Sequence, residues 1–295
     1  MLGKLGGGPG WRSVLAVVAV FILGSCAAPG SRDSGAPTRP GSSADPTDPV
    51  GLIGMWTLAD PGSDAGRAIG LTPTELTIYQ DCGELMAPWR ADRQGLFIAH
   101  ITSSSGGCDP QTRVAWLDKA AGFQLDGRNV VLLDVGGATV ARLVASGQPP
   151  RPDRESFEVT DAFRRSLDPP AALPARVIPA DRRGLLGRWV PVRGGSKAPK
   201  QPYLELGADG RWSALDGCNG SQGGWAAGSA GTLLASSGMS TLIGCDNVPV
   251  GDWVSSARRA GFDGTTLVLL DQNAKELGRL RRESGADVTS APAGT

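Results

Sequence analysis

The 295 residues, 40% apolar and 20% charged, leave room for two ordinary folded domains and are too apolar for a disordered chain. With 29 Lys and Arg against 29 Asp and Glu the formal net charge is zero, which argues against a nucleic-acid partner, and the single histidine, His100, argues against His-rich metal sites and against most triad-type catalysts. The 43 Gly and 22 Pro predict many turns and no long helices.

In chain order, Lys4 and Arg12 precede the apolar run Val14 to Leu23, which is followed by Gly24, Ser25 and Cys26. Residues 1–25 read as an export signal, because the apolar run is too short to cross about 30 Å of hydrocarbon as a helix. Leu23-Gly24-Ser25-Cys26 resembles the bacterial lipobox, which implies acylation at Cys26 and attachment through that lipid to the extracytoplasmic face of the cell membrane. Acylation also accounts for an odd total of 5 Cys in an exported chain. Residues 26–50 carry almost no apolar bulk and are expected to be a disordered tether, and residues 284–295 a disordered tail.

The rest of the chain compares with itself. GLIGMW at 51–56 recurs as GLLGRW at 184–189. Cys108, Trp116, Asp126-Gly127, VLLD at 131–134 and Arg142-Leu143 recur at one constant offset as Cys245, Trp253, Asp263-Gly264, VLLD at 268–271 and Arg279-Leu280. The chain therefore reads as two copies of one domain, 51–145 and 184–283. Each copy is expected to open on a strand bearing Trp56 or Trp189. A short Gly-terminated helix with Trp116 or Trp253 follows the second Cys, and a hairpin turning at Asp134 or Asp271 closes the copy. Asp209-Gly210 marks a further hairpin. The predicted fold class is all-β with one short helix per domain (mainly β, α+β), as two tandem copies of a small, partly open antiparallel β-barrel. The Pro-rich stretch 146–183 reads as a linker, in which Thr160 or Asp161 could cap one short helix lying in the groove between the copies.

Beyond Cys26 the cysteines are Cys82, Cys108, Cys218 and Cys245. Duplication selects Cys82 with Cys108 and Cys218 with Cys245, since only that pairing closes both copies alike, and export supplies the oxidising compartment. No C-x-x-C spacing or His pair supports zinc, so no metal and no cofactor is expected.

The second copy carries Asp216-Gly217-Cys218-Asn219-Gly220 and then Ser240-Thr241-Leu242-Ile243-Gly244-Cys245. Here the sequence resembles the META domain family, which includes HslJ-like bacterial envelope proteins, with its GCN turn, Thr-x-x-x-Cys segment and following helix. The likeness spans about 186–281 and extends more weakly to 51–145, where Asp81-Cys82-Gly83-Glu84 departs from the pattern. It implies a compact envelope barrel associated with stress or drug tolerance and without established catalysis. On physical grounds GCNG is a tight turn, with Gly217 and Gly220 free to take positive φ and Asn219 tolerating the left-handed region. The paired Trp read as core plugs. Trp212 and Trp225 flank the turn in the second copy alone; exposed beside Asp216 and Asn219, they would form a recognition surface. The expected function is a non-catalytic, lipid-anchored envelope protein that binds an envelope protein, glycan or lipid or acts in envelope stress tolerance. The alternatives are a barrel carrying an apolar ligand or lipid and, less favoured, an envelope hydrolase, for which neither G-x-S-x-G nor H-E-x-x-H is present.

Overall fold

A computed structural model of the chain describes residues 45–60, 65–109, 111–146, 156–193, 199–238, 240–241, 243–245 and 247–283. The export signal, Cys26, most of the tether and the tail lie outside the described residues.

The first half contains β1 (Gly54–Asp60), β2 (Ala68–Leu71), β3 (Glu75–Gln80), β4 (Gly83–Ala91), β5 (Phe97–Ala99), β6 (Ser103–Gly106), α1 (Ala115–Lys119), β7 (Gly122–Asp126), β8 (Asn129–Leu133) and β9 (Thr139–Ala145). The strands form one antiparallel sheet in the order β5-β4-β3-β2-β1-β9-β8-β7, with β6 added against β4. After α2 (Asp161–Ser166), the second half contains β10 (Ile178–Pro179), α3 (Arg182–Leu185), β11 (Gly187–Pro191), β12 (Tyr203–Leu206), β13 (Arg211–Leu215), β14 (Gly220–Ala227), β15 (Leu233–Ala235), α4 (Val250–Ser256), β16 (Arg259–Asp263), β17 (Thr266–Leu270) and β18 (Glu276–Arg282). Their sheet runs β10-β16-β17-β18-β11-β12-β13-β14-β15. Followed outward from β1 and from β11, the two paths meet their neighbours in the same order. Among the described residues one bridge links the two ends of the first path, Leu96 with Gly122, and one links the start of β15 to β16, Thr232 with Arg259, with β10 lying beyond β16, so each sheet curls round without a continuous closing ladder.

Period-two alternation selects the inner faces. In β13, Trp212 and Ala214 are buried between partly exposed Arg211, Ser213 and Leu215. The first core gathers Leu58, Ile69, Leu76, Leu85, Phe97, Phe123 and Leu132, and the second gathers Leu185, Trp189, Leu204, Trp225, Leu267 and Leu280. Each such side chain contributes about 1.5–3 kcal/mol by leaving water. The paired Trp of the opening strands behave alike. The Trp56 Nε1 donates to the Leu52 carbonyl at 2.9 Å, and the Trp189 Nε1 donates to the Leu185 carbonyl at 2.8 Å. A buried indole needs this one acceptor, and the helical turn just before each strand supplies it. That turn is α3 in the second half and a 3-10 turn, Pro49–Leu52, in the first. The last residues of the expected tether are therefore folded: Pro46 accepts from Leu125 N at 2.7 Å and Pro49 is buried.

The hairpin turns follow the sequence. Asp134 Oδ1 accepts from the amides of Gly136 and Ala138, and Asp271 Oδ1 accepts from those of Asn273 and Lys275. Gly210 takes φ +79° in the turn between β12 and β13. The helices α1 and α4 lie where expected but end at Ala120 and Ala257, not at a glycine; Gly122 and Gly261 already belong to strands. Among the described residues no helix is long and apolar enough to cross a membrane.

Candidate functional site

Both predicted disulfides form, Cys82 with Cys108 and Cys218 with Cys245, at Cα separations of 5.0 and 6.7 Å. The second one anchors the GCN turn. Asp216 Oδ1 accepts from the amides of Cys218 and Asn219, and its Oδ2 accepts from the side-chain amides of Asn219 and Asn247. Burial alone would raise the Asp216 carboxyl, but these four donors hold it below the ordinary Asp value. Asn219 is buried and reaches across the disulfide loop: its Nδ2 donates to the Ile243 carbonyl at 2.9 Å, and its Oδ1 accepts from the Ile243 amide at 2.5 Å. Of the turn residues only Gly217 has positive φ, at +114°. Gly220 and Asn219 do not, contrary to expectation, because Gly220 already opens β14 and Asn219 is fixed by these side-chain bonds. The carboxylate of Asp216 lies near both sulfurs of the cluster Asp216, Cys218 and Cys245, but the disulfide leaves no thiolate to ligate a metal.

The expected aromatic surface is not there. Trp212 and Trp225 are 2% and 1% exposed. The alternation of β13 turns Trp212 inward, where its Nε1 donates to the Ser236 carbonyl at 2.9 Å. Trp225 donates to the Gly207 carbonyl at 3.1 Å, and the Arg182 guanidinium lies 4.5 Å from its ring centroid. Both belong to the core of the second half. Trp212, Asp216 and Asn219 do border a common polar cavity of about 460 Å³, whereas Trp225 borders a different one of about 540 Å³ at the junction of the halves.

The described residues between 45 and 283 belong to one compact unit, within which the two halves meet along β5, β14 and β15. Ile98, Ala226 and Leu234 pack together there, and Gly224 is needed because Ile98 occupies the place of a Cβ. Gln94 spans the junction, donating to Thr232 Oγ1 at 3.1 Å and accepting from Ser229 Oγ at 2.7 Å. His100 is buried at this junction. Its Nδ1 lies 3.1 Å from Arg211 Nη2, which also donates to Asp118 Oδ1 at 3.3 Å. Burial, reinforced by the Arg211 charge, pushes His100 down to about 4, so the ring is neutral and Nδ1 accepts.

Beside this junction opens a cleft of about 330 Å³, walled by β4 and its following turn, by the start of β15 and the segment after it, and by α2. The linker helix forms as the sequence indicates, with Thr160 Oγ1 accepting from Phe163 N at 3.2 Å, and lies in the groove between the halves. Phe163 packs on Trp89, with ring centroids 6.0 Å apart, while Gln272 donates to the Asp168 carbonyl and Arg259 to those of Pro170 and Ala171. Three arginines line the cleft, Arg90, Arg93 and Arg258. Burial, then the charge of Arg258, pulls Arg90 down to about 10, and burial also lowers Arg258. Arg90 Nη1 is buried without a hydrogen-bond partner among the described residues, as is Asp92 Oδ2; Asp92 Oδ1 accepts from the amides of Gln94 and Leu96. Burial raises the Asp92 carboxyl against those bonds and the nearby Arg259. Arg90, Asp92 and Arg258 were absent from the sequence reading. The available signal was a guanidinium set between Trp89 and Ala91 in the apolar second half of β4.

No protein-family model, curated protein or solved structure matches the chain.

Proposed function

We propose that the chain is an exported, lipid-anchored binding protein of the cell envelope, built from two META-like barrels, which holds a small ligand in the cleft between its halves. In this reading Cys26 carries the acyl group and the folded body stands on the extracytoplasmic face of the cell membrane. The observation that carries the binding role is the cleft itself, about 330 Å³ in volume, bordered by both halves and by the linker helix. Its size and its mixed aromatic and charged walls suit a small molecule. The twin-barrel reading is supported by the strand order shared from β1 and from β11, the bridges Leu96–Gly122 and Thr232–Arg259 that link β5 to β7 and β15 to β16, the two matched indole bonds and the two matched disulfides. Binding is favoured over catalysis because one pair of acids repeated in both halves, Asp134 and Asp271, is engaged with turn amides. A lipid tail inside a barrel fits less well, since Trp189, Trp225, Phe97 and Phe123 fill the interiors. Ligand capture outside the inner membrane face accords with the stress and drug tolerance that the META resemblance implies.

The test has two parts. Mass spectrometry of the membrane fraction should find an acylated Cys26, and Cys26→Ala should release the chain. The neutral fluorescent probe 1-aminoanthracene should bind the purified chain saturably, and Ser237→Trp at the cleft rim should abolish that binding. A probe that does not bind, or that ignores Ser237→Trp, removes the cleft as the ligand site.

A further inference from the structure

The walls of the cleft are chemically specific. Trp89 stacks on Phe97 and is tilted against Phe163, which leaves an aromatic face on one side. Arg90 and Arg258, two like charges, border the same space, and Arg90 Nη1 is a buried donor without an acceptor among the described residues. An unpaired buried donor on a guanidinium is costly, and Arg258 adds repulsion to that cost. Such an arrangement is stabilised by an arriving anion. Counting every charged side chain on the walls, Arg90, Arg93 and Arg258 face Asp92 and Asp168, which leaves a single positive charge in excess. A monoanion balances that excess, whereas a dianionic phosphate overshoots it. The planar fork of a guanidinium matches a carboxylate best among monoanions.

Resting on the ligand-cleft reading above, we propose that the cleft binds a monocarboxylate with an aromatic body, its carboxylate meeting Arg90 Nη1 beside Arg258 and its ring lying against Trp89 and Phe163. Arg90 supplies the anion preference and Phe163 the apolar contact. Because Phe163 sits on the linker helix, the ligand also ties the linker to the first half.

Displacement of 1-aminoanthracene from the full chain tests this, with 4-phenylbutyrate and its neutral counterpart 4-phenylbutyramide as competitors. The acid should displace the probe at least about tenfold more effectively than the amide, as expected for a charge-assisted hydrogen bond. Arg90→Gln should erase that preference while leaving amide binding in place. The variant should fold as well as the parent or melt higher, because it removes an unpaired buried charge. Phe163→Ala, at a half-buried linker position, should weaken both competitors. Equal displacement by acid and amide, or a preference that survives Arg90→Gln, overturns the carboxylate assignment and leaves the cleft standing. Indifference of both competitors to Phe163→Ala overturns the placement of the ring. Failure of 1-aminoanthracene itself to bind overturns the cleft reading on which this assignment rests.

Discussion

The two disulfide loops reach the same end by different means. In the first half the segment before Cys108 is a strand: β6 pairs with β4 from Gly83–Gly106 to Met86–Ser103. Gly83, at φ +141°, has the Ser105 carbonyl where a Cβ would stand, so backbone meets backbone with nothing between. In the second half the equivalent segment makes a single bridge, Ser221 with Ser240, and the main attachment comes from Asn219. Its side-chain amide offers Ile243 one donor and one acceptor, the pair of groups that a neighbouring strand would offer. A side chain replaces a ladder, and it leaves beneath the loop the polar cavity of about 460 Å³.

The largest effect should come from removing the disulfides. Each closes a loop of similar length, with sequence separations of 26 and 27, worth about 3 kcal/mol by chain entropy. The local consequences should differ. Cys82→Ser with Cys108→Ser should lower the melting temperature while β6 keeps its hydrogen-exchange protection, because the ladder to β4 remains. Cys218→Ser with Cys245→Ser should leave 240–245 exchanging freely, because among the described residues no ladder remains there, just the Asn219 pair, one bridge and the bond from Gly220 N to Thr241 Oγ1. Equal loss of protection in the two loops would break the comparison.

A second effect concerns what joins the halves. His100 is held neutral at about 4 against an ordinary value near 6.5, with Arg211, Asp118, Arg113 and Asp209 around it. The unfolded chain takes up a proton between those two values and the folded chain does not, so stability falls as pH drops from about 6.5 toward about 4. By pH 5 the loss is about 2 kcal/mol. His100→Gln cannot take up that proton, and the stability gap between variant and parent should shift by this amount between pH 7 and pH 5 in urea unfolding. A gap constant across that window would mean that the ring is not buried against Arg211.

How much of this was legible follows from the range of each determinant. Disulfide pairing, the Asp134 and Asp271 turns and the Thr160-capped helix each depend on a few neighbouring residues or on residues matched between the two halves of the sequence, and they could be read directly. The surface role expected of Trp212 and Trp225 fails because a Trp that flanks a turn is not thereby exposed; Trp225 even has a buried counterpart, since Trp89 stands as far after Cys82 as Trp225 does after Cys218 and likewise donates its Nε1 to a backbone carbonyl, that of Thr72. The alternation of β13 turns Trp212 inward, and the neighbouring glycines Gly223 and Gly224 leave room for packing from other elements. The cleft was out of reach for another reason. Arg90 lies in β4 and Arg258 follows α4, and only the junction of the two sheets brings them to one space. No spacing in the chain records that junction.

Next in size is Asn219→Ala, which deletes the two-point pair with Ile243 and one donor to Asp216. The variant leaves the Ile243 amide and carbonyl to find water. The cost should be about 1–3 kcal/mol, confined to 216–247. Asn219→Asp retains the acceptor for the Ile243 amide but loses the Nδ2 donor and sets a charge beside Asp216, so it should be no better tolerated. A thermal shift in either variant without increased exchange in 240–245 would show that the side chain is not the attachment.

The smallest effect is the most direct check of likeness between the halves. Trp56→Phe and Trp189→Phe each keep a buried ring and remove one indole donor, leaving the carbonyl of Leu52 or Leu185 without it. Each should cost about 1 kcal/mol, the net worth of one hydrogen bond. One difference between the two sites is that the Arg282 guanidinium lies 4.3 Å from the Trp189 ring centroid in the second half. Phe has a weaker ring quadrupole than Trp, so Trp189→Phe also gives up part of a cation–π contact, roughly 0.5 kcal/mol at a partly exposed site. Trp189→Phe should therefore be slightly the more destabilising, and the difference should vanish in an Arg282→Gln background. If the two substitutions instead differ by several kcal/mol in that background, the matched indole bonds do not perform the same task, and the equivalence of the opening strands fails with them.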